Sequence, residues 1–230
     1  MTRLRSVPRS PWQRRPVARG IKRAVDVIGA TAVLAAASPV MAVCAIAVRR
    51  QLGSPVLFRQ RRPGLDGKPF DLLKFRTMKP APTGQSDAAA VKTDVERLTP
   101  LGKRLREWSL DELPTLLNVL RGEMSLVGPR PLLMEYLGRY SPEQQRRHDM
   151  PPGMTGWAQV NGRNSRPWDE KLAFDTCYVD RWSLWLDAQI LLRTVGKVLR
   201  RDGIYVPGAP TTPEFMGTAG DVRPPVVRHG

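Results

Sequence analysis

The feature that most restricts how this chain can fold is an uncharged run of 22 residues, Val27 to Val48, with Arg19, Lys22 and Arg23 before it and Arg49 and Arg50 after it. As a straight helix at about 1.5 Å per residue it reaches roughly 33 Å, enough to cross a bilayer core of about 30 Å. Ser38-Pro39 falls at its middle. Proline removes a backbone donor and clashes with the preceding turn, so a kink or break is expected there, with the Ser38 hydroxyl available to a freed carbonyl. Basic residues at both ends favour the cytoplasmic side for both. A spanning helix cannot satisfy that, whereas a re-entrant hairpin with arms of about 16 Å does. A kinked span and a buried soluble helix are the competing readings. A cleavable signal peptide is disfavoured, because Arg49 and Arg50 follow the run and a folded domain continues directly.

The net charge is +16 and the isoelectric point about 10.9, which points to an anionic partner (nucleic acid, phosphate substrates or anionic lipid) or to a solvated basic surface, and charge alone does not choose between these. Cys44 and Cys177 form no C-x-x-C pair, so neither a zinc site nor a disulfide framework is expected, in keeping with a reducing compartment. The histidines are His148 and His229. A Ser–His–Asp or Cys–His mechanism would rest on His148, and nothing around it supports one. Carboxylates and arginines must then carry any chemistry.

Past the apolar run, Val56–Phe58 and Phe70–Phe75 read as a short β-hairpin turning near Asp66-Gly67. Residues 79–90 read as a mobile loop. A helical pattern runs from Leu98 to Leu120 with a break near Ser109, and Leu113, Leu116, Leu117 and Leu120 form one apolar face. Ser109-Leu110-Asp111-Glu112 fits a capping box, which puts Asp111 in a first helical turn where an ionised carboxylate is favoured. That pattern alone is as well explained by a cap. The neighbourhood adds Lys103, Arg104 and Arg106 before the pair, and Arg130 clamped between Pro129 and Pro131 after it. A rigid guanidinium near a helix-start carboxylate pair suits phosphoryl transfer. Further on, Met154–Val160 reads as a strand, Asn161-Gly162-Arg163-Asn164 as a tight turn, and Pro167 to about Arg181 as a helix. A second amphipathic helix from Trp182 ends in Lys197, Arg200 and Arg201, and its aromatic and basic residues suit a membrane interface as well as a core.

Lys-Phe-Arg-Thr-Met at 74–78, Ser-Leu-Asp-Glu-Leu-Pro at 109–114, Met-Ser-Leu-Val-Gly-Pro-Arg-Pro at 124–131 and Gly-Trp-Ala-Gln-Val-Asn-Gly-Arg-Asn at 156–164 make the chain resemble the bacterial sugar transferases, from about Lys22 to about Gly217. These are monotopic phosphoglycosyl transferases that begin glycan assembly on polyprenol phosphate. The resemblance implies a re-entrant membrane helix broken at Ser38-Pro39 and an Asp111–Glu112 dyad. It implies that Asp111 attacks the β-phosphate of a UDP-sugar, expels UMP and holds the sugar phosphate until polyprenol (undecaprenyl) phosphate collects it. It also implies Mg²⁺, held at Asp111 and Glu112, and a phosphate contact from Arg130. Arg106, Arg76 and Arg163 are further phosphate- or substrate-binding candidates. Glu112 is open between metal ligand and proton acceptor, with metal ligand the preferred role. The short length and the Thr-Thr-Pro-Glu-Phe tail at 211–215 resemble members acting on N-acetylated sugars such as UDP-diacetamido-bacillosamine.

The expected fold is a helix-rich α/β (α+β) membrane-associated domain with a re-entrant membrane helix, a short β-hairpin and amphipathic interfacial helices. Residues 1–18 read as a disordered basic N-terminus, 19–50 as the membrane helix, 51–217 as a catalytic domain on the cytoplasmic face of the bacterial inner membrane, and 218–230 as a disordered tail. The expected partners are a UDP-sugar, polyprenol phosphate and the phospholipid membrane, with no nucleic acid. A basic membrane-anchored nucleic-acid or lipid binder without catalysis would explain the charge, but a nucleic-acid binder needs neither the apolar run nor the Asp-Glu helix start. A soluble phosphatase with an Asp nucleophile would leave the broken apolar helix superfluous.

Overall fold

The computed structural model describes residues 10–80, 97–162, 166–200 and 214–217. The apolar run lies within one long helix, α1 (Pro16–Leu52). Pro16 stands in its first turn, where proline's fixed φ and missing donor are harmless, and Gly53 closes it at φ 72° with its N–H bonded to the Arg49 carbonyl. Residues 10–18, expected to be disordered, instead carry a helical turn at Pro11–Arg14 followed by the start of α1, because Trp12 packs edge-on against Trp182.

The expected break at Ser38-Pro39 does not interrupt the helix, which continues through Pro39. The reason is local. Pro39 cannot donate to the Ala35 carbonyl one turn back, and the Ser38 hydroxyl donates to that carbonyl instead, at 2.8 Å.

A β-hairpin follows, β1 (Leu57–Pro63) pairing antiparallel with β2 (Pro69–Phe75) through the turn at Leu65–Gly67. The stretch expected as one interrupted helix resolves into α2 (Pro100–Glu107), a tight turn at Leu110–Glu112, and α3 (Thr115–Arg121). Ser109 lies at φ 54°, in the left-handed region, and its side chain makes no capping bond, so the expected capping box is not formed. Next come β3 (Ser125–Val127) and β4 (Gly153–Thr155), a short parallel pair. The strand expected to Val160 stops at Thr155, and Trp157–Val160 forms a helical turn closed by the Asn161 amide on the Trp157 carbonyl. Two longer helices complete the order, α4 (Trp168–Arg181) and α5 (Leu184–Arg200).

One face of α1 lies along this domain. Ala30 sits in a cluster with Phe70, Leu72, Leu116, Val119 and Met124, and Leu34 packs against it. Cys44 and Val48 sit in a second cluster with Phe75 and Leu105, flanked by Met41 and Ala45. The domain therefore grips α1 on both sides of Ser38-Pro39. Buried polar contacts reinforce the first grip. Lys22 donates to Asp187 at 2.7 Å and to the Val127 carbonyl at 3.0 Å, while Tyr178 and Trp182 also donate to Asp187. Asp26 accepts from Ser125 and from the Leu126 N–H. The opposite face of α1 carries exposed Val17, Ile21, Val25, Ile28, Val33, Val40, Val43 and Ile46, and α5 exposes Trp185, Leu192 and Val195. By length and composition α1 is able to cross a membrane.

Candidate active site

The site is assembled where β2, the Leu110–Glu112 turn and the chain after β3 meet. Asn118 of α3 couples the first two. Its side chain accepts from the Leu73 N–H at 3.0 Å and donates to the Asp71 carbonyl at 2.8 Å, completing the main chain of β2 as a neighbouring strand would. Thr115 adds a bond to the Leu73 carbonyl at 2.8 Å. With α3 fixed against β2, the turn just before it delivers Glu112 to Lys74. The Lys74 ammonium bonds Glu112 Oε1 at 2.6 Å.

Arg130 reaches the same oxygen from the third element, its Nη2 at 3.0 Å. Pro129 and Pro131 fix the backbone on either side. Gly128 lets this segment pass β4: a Cβ there would lie 2.5 Å from the Pro151 carbonyl oxygen, so no side chain fits. Arg106, at the end of α2, donates to Thr77 at 3.1 Å, and Gly102 permits that approach because a Cβ there would overlap the Thr77 carbonyl.

Asp111 and Glu112, adjacent in sequence, are held in opposite electrostatic states. Burial would raise Glu112, but Lys74 and Arg130 outweigh it and hold its carboxyl well below the usual carboxylate range. Asp111 is 7% exposed. Burial, then the negative charge of Glu112, pushes it up to about 6, against the opposing pull of Lys74, Arg106 and Arg130. Glu112 therefore stays ionised and is a poor proton acceptor. Asp111 is more basic than an ordinary carboxylate yet still mostly ionised at neutral pH. A buried anion beside three cations is equipped to attack a phosphate, or to ligate a cation that a phosphate shares.

The sequence-derived candidates divide accordingly. The structure brings together Asp111, Glu112 and Arg130, with Arg106 within electrostatic reach. Arg76 is not part of the cluster: its guanidinium donates to the carbonyls of Leu52, Gly53 and Ser54, satisfying the end of α1, where the last carbonyls have no helical donors. Arg163 lies outside the described residues. Lys74 was missed as a site residue, although its motif was singled out. Its signal was a lysine set between Leu73 and Phe75 in a strand, a half-buried cation that needs an anionic partner. Among the described residues no group of three or more acidic, histidine or cysteine side chains converges, so the protein oxygens on offer to a cation here are those of Asp111 and Glu112.

This geometry coincides with a family match. The model for bacterial sugar transferases matches residues 17–201. The chain belongs to that family. Among its relatives, the uncharacterized sugar transferase EpsL of Bacillus subtilis is 49% identical over 203 residues, covering 88% of this chain and 98% of the relative. A UDP-glucose:undecaprenyl-phosphate glucose-1-phosphate transferase of Caulobacter vibrioides is 43% identical over 192 residues, covering 80% of this chain and 72% of the relative. A UDP-galactose-lipid carrier transferase of Erwinia amylovora is 39% identical over 201 residues, and there the match spans 81% of this chain but 42% of the longer relative. The match places Asp111, Glu112, Lys74, Arg106 and Arg130 inside the family region of this sugar transferase, and leaves the tail segment at Phe215 beyond it.

The raised value of Asp111 has a stability consequence. The folded sugar transferase holds a proton there more tightly than the unfolded chain, so this contribution to stability is present at low pH and lost as pH rises from about 4 to about 6. The shift corresponds to about 3 kcal/mol. Asp111→Asn, which removes the charge at constant size, should raise stability at pH 7 by about 1–3 kcal/mol and flatten its dependence between pH 4 and 6. Thermal unfolding in detergent across that range checks this, and a clearly destabilised variant at pH 7 would contradict it.

Proposed function

We propose that this protein transfers a sugar-1-phosphate from a UDP-sugar to polyprenol phosphate, with release of UMP, through a covalent adduct on Asp111. The observation that carries the reading is the buried Asp111 carboxylate beside a Glu112 already committed to two cations. An ionised Asp111 Oδ attacks the β-phosphorus of the UDP-sugar. The bond from that phosphorus to the oxygen bridging the two phosphates breaks, and UMP leaves with the oxygen. A phosphate oxygen of the lipid then attacks the same phosphorus, and Asp111 departs as a carboxylate. No proton acceptor is needed for the first attack, which suits the strongly ionised Glu112. Arg130, half exposed, and Lys74 face the diphosphate and offset the charge of anion meeting anion.

Two carboxylates fit Mg²⁺, which takes oxygen ligands and is completed by substrate phosphates and water. Both recorded contacts of Glu112 fall on Oε1, so Oε2 and the Asp111 carboxylate are the oxygens suited to hold it. When bound, the ion neutralises diphosphate charge.

The membrane relation is read from packing. The domain holds α1 at Leu34 and again at Met41, about 10 Å apart along the helix. A helix crossing a core of about 30 Å between those grips would draw the domain into the bilayer. We therefore read α1 as a continuous helix bent at Ser38-Pro39 that dips into one leaflet without crossing the core, its exposed apolar face against lipid, with Trp185, Leu192 and Val195 of α5 at the interface and the catalytic domain at the cytoplasmic face of the inner membrane. Single cysteines placed at Arg19 and Arg50 should share cytoplasmic labelling sidedness in intact cells. Opposite sidedness would establish a crossing helix.

The 211–215 tail motif favours an N-acetylated donor, whereas the names of the relatives carry glucose and galactose. A panel of UDP-glucose, UDP-galactose and N-acetylated UDP-sugars, with undecaprenyl phosphate and Mg²⁺, should yield UMP and a lipid-linked sugar diphosphate from at least one donor. Free sugar phosphate formed without lipid, or no UMP from any donor, would overturn the reading.

A further inference from the structure

Arg130 sits in a segment with few backbone donors of its own. It lies between two prolines, which have no N–H, so the Pro129–Pro131 segment is held largely through its carbonyls. All three accept from outside the segment. Pro129 accepts from the Gly153 N–H at 2.9 Å, Arg130 from Arg147 Nη2 at 2.6 Å, and Pro131 from Arg62 Nη1 at 3.5 Å. The middle bond is the shortest, and its donor is charged and almost wholly buried, with 1% of the Arg147 side chain exposed.

Arg147 is in turn fixed on every side. Its Nε and Nη2 bond Asp175 Oδ2 at 3.1 and 2.7 Å, and its Nη1 donates to the Tyr140 hydroxyl at 3.3 Å. Tyr140 stacks on Phe215 of the tail segment. As an isolated pair, Arg147 and Asp175 are poorly arranged for stability. Asp175 Oδ1 is buried with no partner among the described residues, and burial raises the Asp175 carboxyl more than Arg147 lowers it. Buried ion pairs of this kind are commonly replaceable by apolar side chains without loss of stability. An apolar pair could fill the space but could not donate to the Arg130 carbonyl. A costly local arrangement beside a site marks a functional demand.

We propose that Arg147, anchored by Asp175, is a positioning residue for Arg130: its bond to the main-chain carbonyl sets the segment so that the Arg130 guanidinium meets Glu112 and the donor phosphate. This rests on the phosphate-binding role of Arg130 in the proposed reaction. Arg147 touches no substrate and acts through Arg130.

The test is a mutant cycle on UMP release by the full chain in detergent. The paired replacement Arg147→Met/Asp175→Leu leaves neither charge buried alone. It should keep a melting temperature close to wild type yet lose about a hundredfold in kcat with KM for the UDP-sugar little changed, the scale expected when a catalytic contact is displaced by about 1 Å. In an Arg130→Ala background the same pair should cost no more than about threefold, because the residue it positions is gone. A folded paired variant with wild-type kcat, or a hundredfold loss that persists without Arg130, overturns the proposal. Should the pair fail to fold, Arg147→Lys keeps a buried cation for Asp175 without the fork that also reaches Arg130. It should show the same non-additive loss, and wild-type kcat in it overturns the proposal equally. An inactive wild type would instead refute the transfer reaction, so the two failures are distinguishable.

Discussion

One carboxylate oxygen holds the site together. Glu112 Oε1 accepts from Lys74 and from Arg130, and so ties the end of β2 and the segment after β3 to the turn between α2 and α3. An exposed ion pair would contribute little. Here the Glu112 and Lys74 side chains are about one fifth exposed, and two cations share one acceptor, so the arrangement is a junction of three chain segments. It also settles the contest at Asp111. Three cations pull that carboxyl down, while burial and the Glu112 charge push it up, and the upward influences win. The result is a carboxylate with raised basicity that is still ionised at neutral pH, the state a phosphate-seeking nucleophile needs.

The long helix takes part in the same construction. Lys22 and Asp26 hold the carbonyl of Val127, the N–H of Leu126 and the hydroxyl of Ser125, so the start of α1 fixes the strand that runs on into Gly128 and Arg130. Arg23 adds bonds to the Val119 and Leu120 carbonyls at the end of α3. At its far end, Arg76 caps the carbonyls of α1 from the residue after β2. The helix that faces lipid in the proposed arrangement is thereby bonded to two of the three segments that meet at Glu112.

Much of this was legible in the sequence because it is periodic or chemically unusual. An uncharged run between basic flanks announces a long apolar helix. The Asp66-Gly67 turn signal between two short strands announces the hairpin, and Arg130 between two prolines announces an arginine on a fixed backbone. The misses have a common cause, which is that local pattern does not reveal tertiary partners. Ser109 looked like a cap and is a left-handed joint instead. Arg76, whose motif lies near the site, stands apart from the cluster at Glu112, with its guanidinium on the carbonyls at the end of α1. Lys74 gives little away in the sequence, because the partner of this half-buried cation lies 38 residues away. The helical continuity through Pro39 depended on one serine hydroxyl reaching one carbonyl, a detail that composition cannot decide.

The central claim is that Asp111 becomes covalently attached to the sugar phosphate. The most direct measurement is the intact mass of the wild-type chain after incubation with an accepted UDP-sugar and Mg²⁺ in the absence of lipid, followed by peptide mapping. The account predicts about one UMP released per chain and a mass gain of one sugar phosphate, confined to the peptide that carries Asp111 and discharged when undecaprenyl phosphate is added. UMP release that occurs only when the lipid is present, with no adduct at any stage, or an adduct mapped to another residue, would contradict it.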